Sequence, residues 1–170
     1  MKRIRRILHP TDFSRASGAA FLKAVTLAKQ DRAELLLVHV LLPPTPFIGD
    51  GYVSPRTYQE LEAGTRRGAE RELAKVLARA RKAGARARSL LLEGVPYAQI
   101  TRSARSKRAD LIVMGTHGRT GLSKFFLGSV AERVIALASC PVLTVRGKQA
   151  PGNKRGRSTM NGSEPRRRTT

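Results

Sequence analysis

Cysteine, acidic residues and aromatic side chains are all scarce in this sequence of 170 residues. Cys140 is its single cysteine, which excludes an internal disulfide framework and a zinc site built from several thiolates. Five Phe, three Tyr and no Trp leave few rings on which nucleic-acid bases could stack. Basic residues outnumber acidic ones by 33 to 12, which gives a formal net charge of +21. A charge of this size predicts weak, non-specific attraction to nucleic acid.

Long hydrophobic runs are also missing. The longest, Leu35–Leu42, is interrupted by His39 and ends at two prolines, far short of the roughly 20 residues of a membrane span. The basic N-terminus offers only Ile7 and Leu8 before the next polar residue, whereas a secretory signal needs an apolar stretch of about 7–15 residues. We therefore expect no membrane association, no signal peptide and a cytoplasmic location.

The apolar residues that are present, 41% of the chain, suffice for a core. Five short apolar runs alternate with stretches of helical periodicity. The runs are Ile4–Leu8, Glu34–Val40, Ser89–Leu92, Leu111–Met114 and Pro141–Val145. Continuous runs of this length are typical of strands that are covered on both faces. The pattern predicts an α/β fold in the order βαβαβαβαβ, with parallel strands and right-handed crossovers.

Two regions fall outside this alternation. Residues 41–55 contain four prolines and two glycines, which predicts a long loop before the second helix. From Arg146 onward the chain has eight basic residues, one acidic residue and almost no apolar ones. We therefore predict one folded domain, residues 1–146, and a disordered basic tail, residues 147–170. The tail is either a solvated extension or a weak, non-specific contact for nucleic-acid phosphates.

The segment from Gly115 to Ser129 carries the clearest chemical signal. Gly115 and Gly118 permit close backbone approaches, and Gly128-Ser129 precedes a helix whose free N–H groups and dipole favour an anion, usually phosphate. Ser129 adds a hydroxyl group, and further positive charge comes from His117, Arg119 and Lys124. The spacing is neither a Walker A motif nor Gly-x-Gly-x-x-Gly. The alternative is that these glycines serve only a tight turn between strand and helix.

Gly115-x-x-Gly118, nine residues and then Gly128-Ser129 resemble the nucleotide loop of the universal stress protein (UspA-like) family. Three further segments resemble that family's first, second and last strands: 7–14 (ILHPTDFS), 36–40 (LLVHV) and 139–143 (SCPVL). The likeness extends from Arg3 to about Arg146. It implies an open five-stranded parallel sheet, order 3-2-1-4-5, with helices on both faces in a Rossmann-like arrangement. It also implies a homodimer and, as in the ATP-binding members of the family, a site for ATP with Mg²⁺. The strand order reverses between strands 1 and 4, and ligands of such sheets bind at the reversal.

The resemblance also implies a role for individual residues. It implies that Pro10, Thr11 and Asp12 line the part of the site that holds adenosine. The backbone of Val40 would contact the edge of the adenine, and Met114 and Gly115 would flank the base and the ribose. The residues expected to surround the phosphates are Gly118, Gly128, Ser129 and Val130, and His117 and Arg119 lie in the same loop of the sequence. Asp12 contacts ribose or a phosphate-bound Mg²⁺, caps the first helix as Ser14 also can, or does both. Ala131 stands where nucleotide-binding relatives often have a hydroxyl group, so we expect weaker binding.

No nucleophile, base and orienting group occur together, and the three histidines do not form a metal site, so we expect binding with at most slow, incidental ATP hydrolysis. Three functions remain: an ATP-binding dimeric regulator of the stress response, a nucleotide-free dimeric interaction module, and a nucleic-acid-associated protein acting through its basic tail. We favour the first; its protein partners are not specified by the sequence. The dimer is expected at the apolar edge of the last strand, formed by Val142, Leu143, Thr144 and Val145.

Overall fold

Strands and helices alternate along the part of the chain that the computed structural model describes, which is residues 3–42, 47–48, 51–52, 54–116 and 127–146. The strands are β1 (Arg6–Pro10), β2 (Glu34–Leu41), β3 (Phe47–Ile48), β4 (Gly51–Tyr52), β5 (Arg86–Glu93), β6 (Leu111–Gly115) and β7 (Val142–Val145). The helices are α1 (Arg15–Gln30), α2 (Pro55–Lys82), α3 (Pro96–Ser106) and α4 (Ser129–Leu137).

Five of these strands form one sheet in the order β5-β2-β1-β6-β7, and every neighbouring pair is parallel. Counted in chain order without the short β3 and β4, this is the order 3-2-1-4-5, which confirms the predicted fold class. β1 lies at the centre, where Leu8 pairs with Leu36 of β2 and with Ile112 of β6. The strand order reverses at β1 and β6.

Both faces of the sheet are covered, which explains the continuous apolar runs. On one face, Ile7 and Leu35 pack with residues of α1 and α2 such as Phe21 and Leu73. On the other face, residues of the same strands pack against α3 and α4 in a second cluster, built from Leu8, Val38, Ile100, Ile112 and Val134. Because adjacent residues of a strand point to opposite faces, each strand contributes alternately to both cores.

All five predicted strands differ from the sequence prediction at one end or both. β1 begins at Arg6 rather than Ile4, β6 ends at Gly115 rather than Met114, and β7 begins at Val142 rather than Pro141. β1 extends to Pro10, and the N–H of Thr11 still donates to Val38 O at 2.8 Å. β5 begins at Arg86 rather than Ser89, because at this sheet edge exposed arginines alternate with the buried Ala87. The predicted loop at 41–55 is partly wrong, since Leu41 still belongs to β2 and the antiparallel pair of β3 with β4 lies inside it.

The long helix α2 is polar except for one narrow stripe. Its buried residues are Ala69, Leu73 and Ala80, while charged side chains such as Arg56 and Glu60 pair on its exposed surface. Within the described residues, no helix combines the length and the apolar character needed to cross a bilayer.

Helices α1, α2 and α3 end in the same way. Each is followed by a residue with positive φ, namely Arg32 (53°), Gly84 (86°) and Arg108 (50°). The next residue, an alanine each time, then donates its N–H to a carbonyl of the last helical turn: Ala33 to Ala28, Ala85 to Ala80 and Ala109 to Ala104. Glycine is the usual residue at such a helix end, and a side chain there costs about 1–2 kcal/mol.

His9 on β1 is fully buried beside Phe21. Its Nδ1 donates to Val113 O at 2.8 Å, while Nε2 has no hydrogen-bond partner among the described residues. Burial lowers the pKa of this imidazole to about 4, against the opposing effects of the Val113 carbonyl and the Asp12 charge. The folded protein therefore holds His9 neutral at pH values where an unfolded chain protonates it.

Acid should weaken the fold through His9. Between pH 6.5 and 4 the unfolded chain binds a proton that the folded chain does not, so stability falls as the pH drops. We expect a loss of about 2 kcal/mol between pH 6.5 and 5 from this residue, measured by urea denaturation. The variant His9→Asn keeps an amide N–H for Val113 O and should lose that part of the pH dependence. An unchanged pH dependence in the variant would show that His9 is not the group responsible.

Candidate functional site

A cavity of about 550 Å³ opens at the carboxyl ends of β1, β2 and β6, beside the first turn of α4. This is the point of the sheet at which the strand order reverses, where open α/β sheets bind their ligands. Its volume lies within the range of about 300–1,000 Å³ that small-molecule and cofactor sites occupy. Its walls are largely apolar, with Val38, Ile100 and Met114 among them.

The structure brings together nine of the residues that the sequence assigns to a nucleotide site. Those that line the cavity are Pro10, Thr11, Asp12, Val40, Met114, Gly115, Gly128, Ser129 and Val130. His117, Gly118 and Arg119 lie outside the described residues, as does the tail from residue 147 onward.

The turn after β1 is held in place from several directions. Thr11 Oγ1 lies 2.7 Å from Ser17 Oγ and accepts the N–H of Phe13 at 3.1 Å. Phe13 has a φ of 64°, which is unfavourable for a side chain of this size. Its ring contacts that of His39 with 4.3 Å between centroids, and His39 Nδ1 donates to Thr11 O at 2.7 Å. These contacts keep the turn in its strained conformation at the edge of the cavity.

The hydrogen bonds at the start of α1 show whether Asp12 or Ser14 caps this helix. Ser14 Oγ accepts the N–H of Ser17 at 3.2 Å, so Ser14 is the capping residue. Asp12 Oδ1 accepts the N–H of Ser14 at 3.0 Å and thereby closes the turn that precedes the helix. Asp12 is also one of the residues that line the cavity. One carboxylate of this kind suits Mg²⁺, which proteins often hold through one or two carboxylates together with substrate phosphates.

The first turn of α4 presents hydrogen-bond donors to the cavity. Gly128 N donates to Thr116 O at 2.7 Å, and Thr116 N donates to Val145 O at 3.1 Å, so the helix start is joined to β6 and β7. In the described structure, the N–H groups of Ser129, Val130 and Ala131 have no acceptor. All three residues line the cavity. Open N–H groups at a helix start, together with the helix dipole, form an anion site.

Ala131 is almost completely buried, with 3% of its surface exposed. Its methyl group belongs to the hydrophobic cluster under α3 and α4, while the residue also borders the cavity. Position 131, where the family resemblance leads us to expect a hydroxyl group, therefore borders the cavity.

Sequence reasoning did not assign several lining residues. They are Ser17, Val38, His39, Leu41, Leu42, Thr65, Pro96, Ile100 and Thr116. Leu41, Leu42 and Thr116 follow from the rule that carboxyl strand ends form the site, once β2 is known to reach Leu41. Thr65 comes from the middle of α2 and carries no signal in the sequence.

Gly115 allows the close approach that its position in the sequence predicts, and its partner is the backbone of α1. A Cβ at this residue would lie 3.0 Å from Ala16 C, 3.1 Å from Ala16 O and 3.2 Å from Ser17 N. These atoms belong to the first turn of α1 and cannot move independently of the helix. The glycine thus sets the distance between β6 and α1, and with it the shape of the cavity.

The fold and this cavity define a Rossmann-like α/β protein with a candidate ligand site at the reversal of its strand order. The sequence pattern of the universal stress protein family matches residues 3–146. The chain belongs to the universal stress protein family.

Known relatives agree with this membership. Universal stress protein MJ0531 of Methanocaldococcus jannaschii is 39% identical over 142 residues, which cover 84% of this chain and 82% of that protein. The solved structure of MJ0577, from the same organism, superposes with a TM-score of 0.74 at 26% identity and covers 88% of this chain and all of that one. A universal stress protein of Archaeoglobus fulgidus, solved in complex with dAMP, gives a TM-score of 0.58 at 25% identity, with 85% and 98% of the two chains covered.

A methyl group at Gly115 should destabilise the protein. In Gly115→Ala the Cβ meets helix backbone that cannot yield, so we expect a loss of about 1–3 kcal/mol. Gly18→Ala is the matched control, because nothing lies within 4 Å of a Cβ there and alanine favours a helix interior by about 0.5–1 kcal/mol. Urea denaturation measures both changes. Equal stability of the two variants would contradict the role given to Gly115.

Proposed function

We propose that this protein binds ATP with Mg²⁺ in the cavity and acts as a dimeric regulator of the cellular stress response. The observation that carries the proposal is the set of open N–H groups at Ser129, Val130 and Ala131, which border a cavity of nucleotide size. The dAMP complex of the Archaeoglobus fulgidus relative supports an adenine nucleotide as the ligand class.

The described residues fit the parts of such a ligand. The apolar wall around Met114 and the backbone of Val40 suit a purine, and Pro10 and Thr11 suit the ribose end. The first turn of α4 suits the phosphates, and Asp12 suits an Mg²⁺ ion that the phosphates carry. When bound, that ion would neutralise phosphate charge.

We further propose that the protein acts by binding rather than by catalysis. Of the lining residues, Asp12 and His39 are the groups with acid–base chemistry, and both are engaged in holding the turn after β1. Hydrolysis of ATP would then be slow and incidental. The cytoplasm suits a protein whose one cysteine has no partner for a disulfide bond.

The proposed dimer forms at the free edge of β7. This strand ends the sheet, and its residues Val142–Val145 are half-buried. On the neighbouring α4, Ile135 is 45% exposed and Leu137 is 57% exposed. An apolar strand edge flanked by exposed aliphatic side chains favours pairing with a second copy of the chain.

Calorimetric titration tests nucleotide binding directly. We expect the purified protein to bind Mg-ATP, and to release adenine nucleotide on denaturation if it copurifies with its ligand. The variant Ala131→Ser restores a hydroxyl group at the cavity wall, and a hydrogen bond to a charged phosphate should tighten binding about tenfold. Ala136→Ser, on the exposed surface of the same helix, is the control and should leave the affinity unchanged.

Absence of a titration signal, together with a melting temperature that Mg-ATP does not change, would refute ATP binding. The nucleotide-free interaction module would then be the function, with the glycines serving the turn alone. Equal effects of the two serine variants would instead place the phosphates away from the first turn of α4.

A charge on β7 should separate the dimer. Lysine in an edge strand hinders pairing of two edges, so we expect Thr144→Lys to reduce the mass in sedimentation velocity to that of the 18.6 kDa monomer. Leu61→Lys is the control, because this side chain of α2 is 42% exposed and α2 packs against β5, which is the opposite edge of the sheet. A dimer that persists in Thr144→Lys would show that the interface lies elsewhere.

A further inference from the structure

A strongly basic surface lies at the end of the sheet opposite the cavity. It is formed by residues 3–6, 29–34, 81–88 and 105–110, which precede β1, β2, β5 and β6 or begin these strands. We call these four segments the basic pole. They contain twelve Lys and Arg residues and three acidic residues. Every one of the basic residues except Arg6 is exposed.

Charge is sorted between the two ends of the domain. At the carboxyl ends of β1, β2, β5 and β6 and at the start of α4, the described segments 10–14, 39–42, 93–96, 114–116 and 127–129 contain Asp12 and Glu93 but neither Lys nor Arg, whereas the exposed Arg146 follows β7. The positive charge of the described domain is thus not spread evenly over its surface, and a large part of it is gathered at the basic pole.

The acidic residues of the basic pole stabilise the fold and leave most of its charge in place. Glu34 accepts Arg6 Nε at 2.8 Å and also pairs with Arg88. Burial alone would raise the pKa of Glu34, but the two guanidinium groups outweigh it and lower that pKa. Asp110 accepts the backbone N–H groups of Arg5 and Arg6. Within the described structure, ten of the twelve basic side chains have no acidic partner.

The backbone conformation of Arg32 and Arg108 is a second, independent feature of the basic pole. Both adopt a positive φ after a helix, where Gly84 occupies the same position behind α2. Glycine would relieve the backbone at Arg32 and Arg108, so these arginines are not explained by local stability. A helix dipole explains part of the basic pole, because Lys29, Arg81, Lys82 and Arg105 stand in the last turns of α1, α2 and α3. Arg32 and Arg108 follow those last turns and are in addition to them.

We propose that the basic pole binds the phosphate backbone of nucleic acid without reading its bases. Nine of the twelve basic residues are arginines, whose planar guanidinium group binds phosphate through two hydrogen bonds. The four segments contain no aromatic residue, so base stacking contributes nothing. Four neighbouring strands span about 14 Å, over which a DNA duplex carries about eight phosphate charges.

The composition of the basic pole favours nucleic acid over an anionic membrane. Proteins that lie on membranes insert apolar side chains among their basic ones. The exposed large apolar side chains of the described structure, such as Leu22, Leu61 and Leu137, belong to other segments. The four segments of the basic pole do not include the tail, and the last described residue before it, Arg146, follows β7 at the carboxyl end of the sheet. The proposal is independent of nucleotide binding in the cavity.

The test uses the full chain and a duplex DNA of 20 base pairs, with fluorescence anisotropy at several salt concentrations. The variant Arg32→Gly/Arg108→Gly removes two charges and relieves the backbone, so its melting temperature should stay the same or rise. We expect DNA binding about tenfold weaker at 0.1 M salt, and a slope of log K against log salt that is smaller by about 2. The control Lys23→Gln/Arg71→Gln removes two exposed charges from the middle of α1 and α2 and should have a much smaller effect.

A second pair, Arg86→Gln/Lys107→Gln, keeps both positive-φ arginines and should weaken binding similarly. Losses in the control equal to those in both pole pairs would overturn the proposal, because net charge alone would then explain them. Unchanged DNA binding in both pole pairs would also overturn the proposal, because binding would then be assigned to residues 147–170. Pole-dependent binding to phosphatidylserine vesicles, without binding to the duplex, would overturn the proposal as well. Two duplexes of unrelated sequence should bind equally, and a tenfold preference would contradict recognition of the backbone alone.

Discussion

The common direction of the five strands is the constraint on which the rest of this structure depends. Because every strand of the sheet is parallel to its neighbours, each helix begins at one end of the sheet and finishes at the other. Unpaired N–H groups therefore collect beside the cavity, as at Ser129–Ala131, and unpaired carbonyl groups collect at the basic pole. Arg3 donates to the carbonyl of Asp31 there, and Arg6 to that of Lys107. One end of the domain thus favours anions, and the other holds arginines.

The cavity exists because β1 and β6 separate after a short contact. The ladder between them pairs only Ile7 with Leu111 and Leu8 with Ile112 in the described structure, whereas five residues of β1 pair with β2. Side chains extend the short ladder at both ends. Asp110 accepts two N–H groups before it, and His9 Nδ1 donates to Val113 O after it. His9 thus supplies a hydrogen bond where the two backbones have begun to diverge toward the cavity, which accounts for a polar residue in the core.

Much of the fold was predictable from the sequence, because continuous apolar runs specify covered parallel strands. Gly115 and the helix start at Gly128-Ser129 indicated where the candidate site lies, and the resemblance to the universal stress protein family assigned its other residues. Features that depend on contacts between distant segments were not predictable. The alternation of exposed arginine and buried alanine in β5 became interpretable only once that strand was known to be a sheet edge. Nothing in the local sequence shows that Thr65 reaches the cavity or that Arg32 adopts a positive φ.

The cavity and the basic pole are separated far enough to act independently through electrostatics. The strands between them have five to eight residues, so the ends lie roughly 17–26 Å apart. This is more than two Debye lengths at physiological salt, about 8 Å each, and exposed charges at such a distance are largely screened. A nucleotide in the cavity therefore changes affinity at the basic pole only if it changes the structure between them. The segment that offers such a route is the short β1–β6 contact, because Asp110 joins it to the basic pole and Gly115 joins it to the cavity wall.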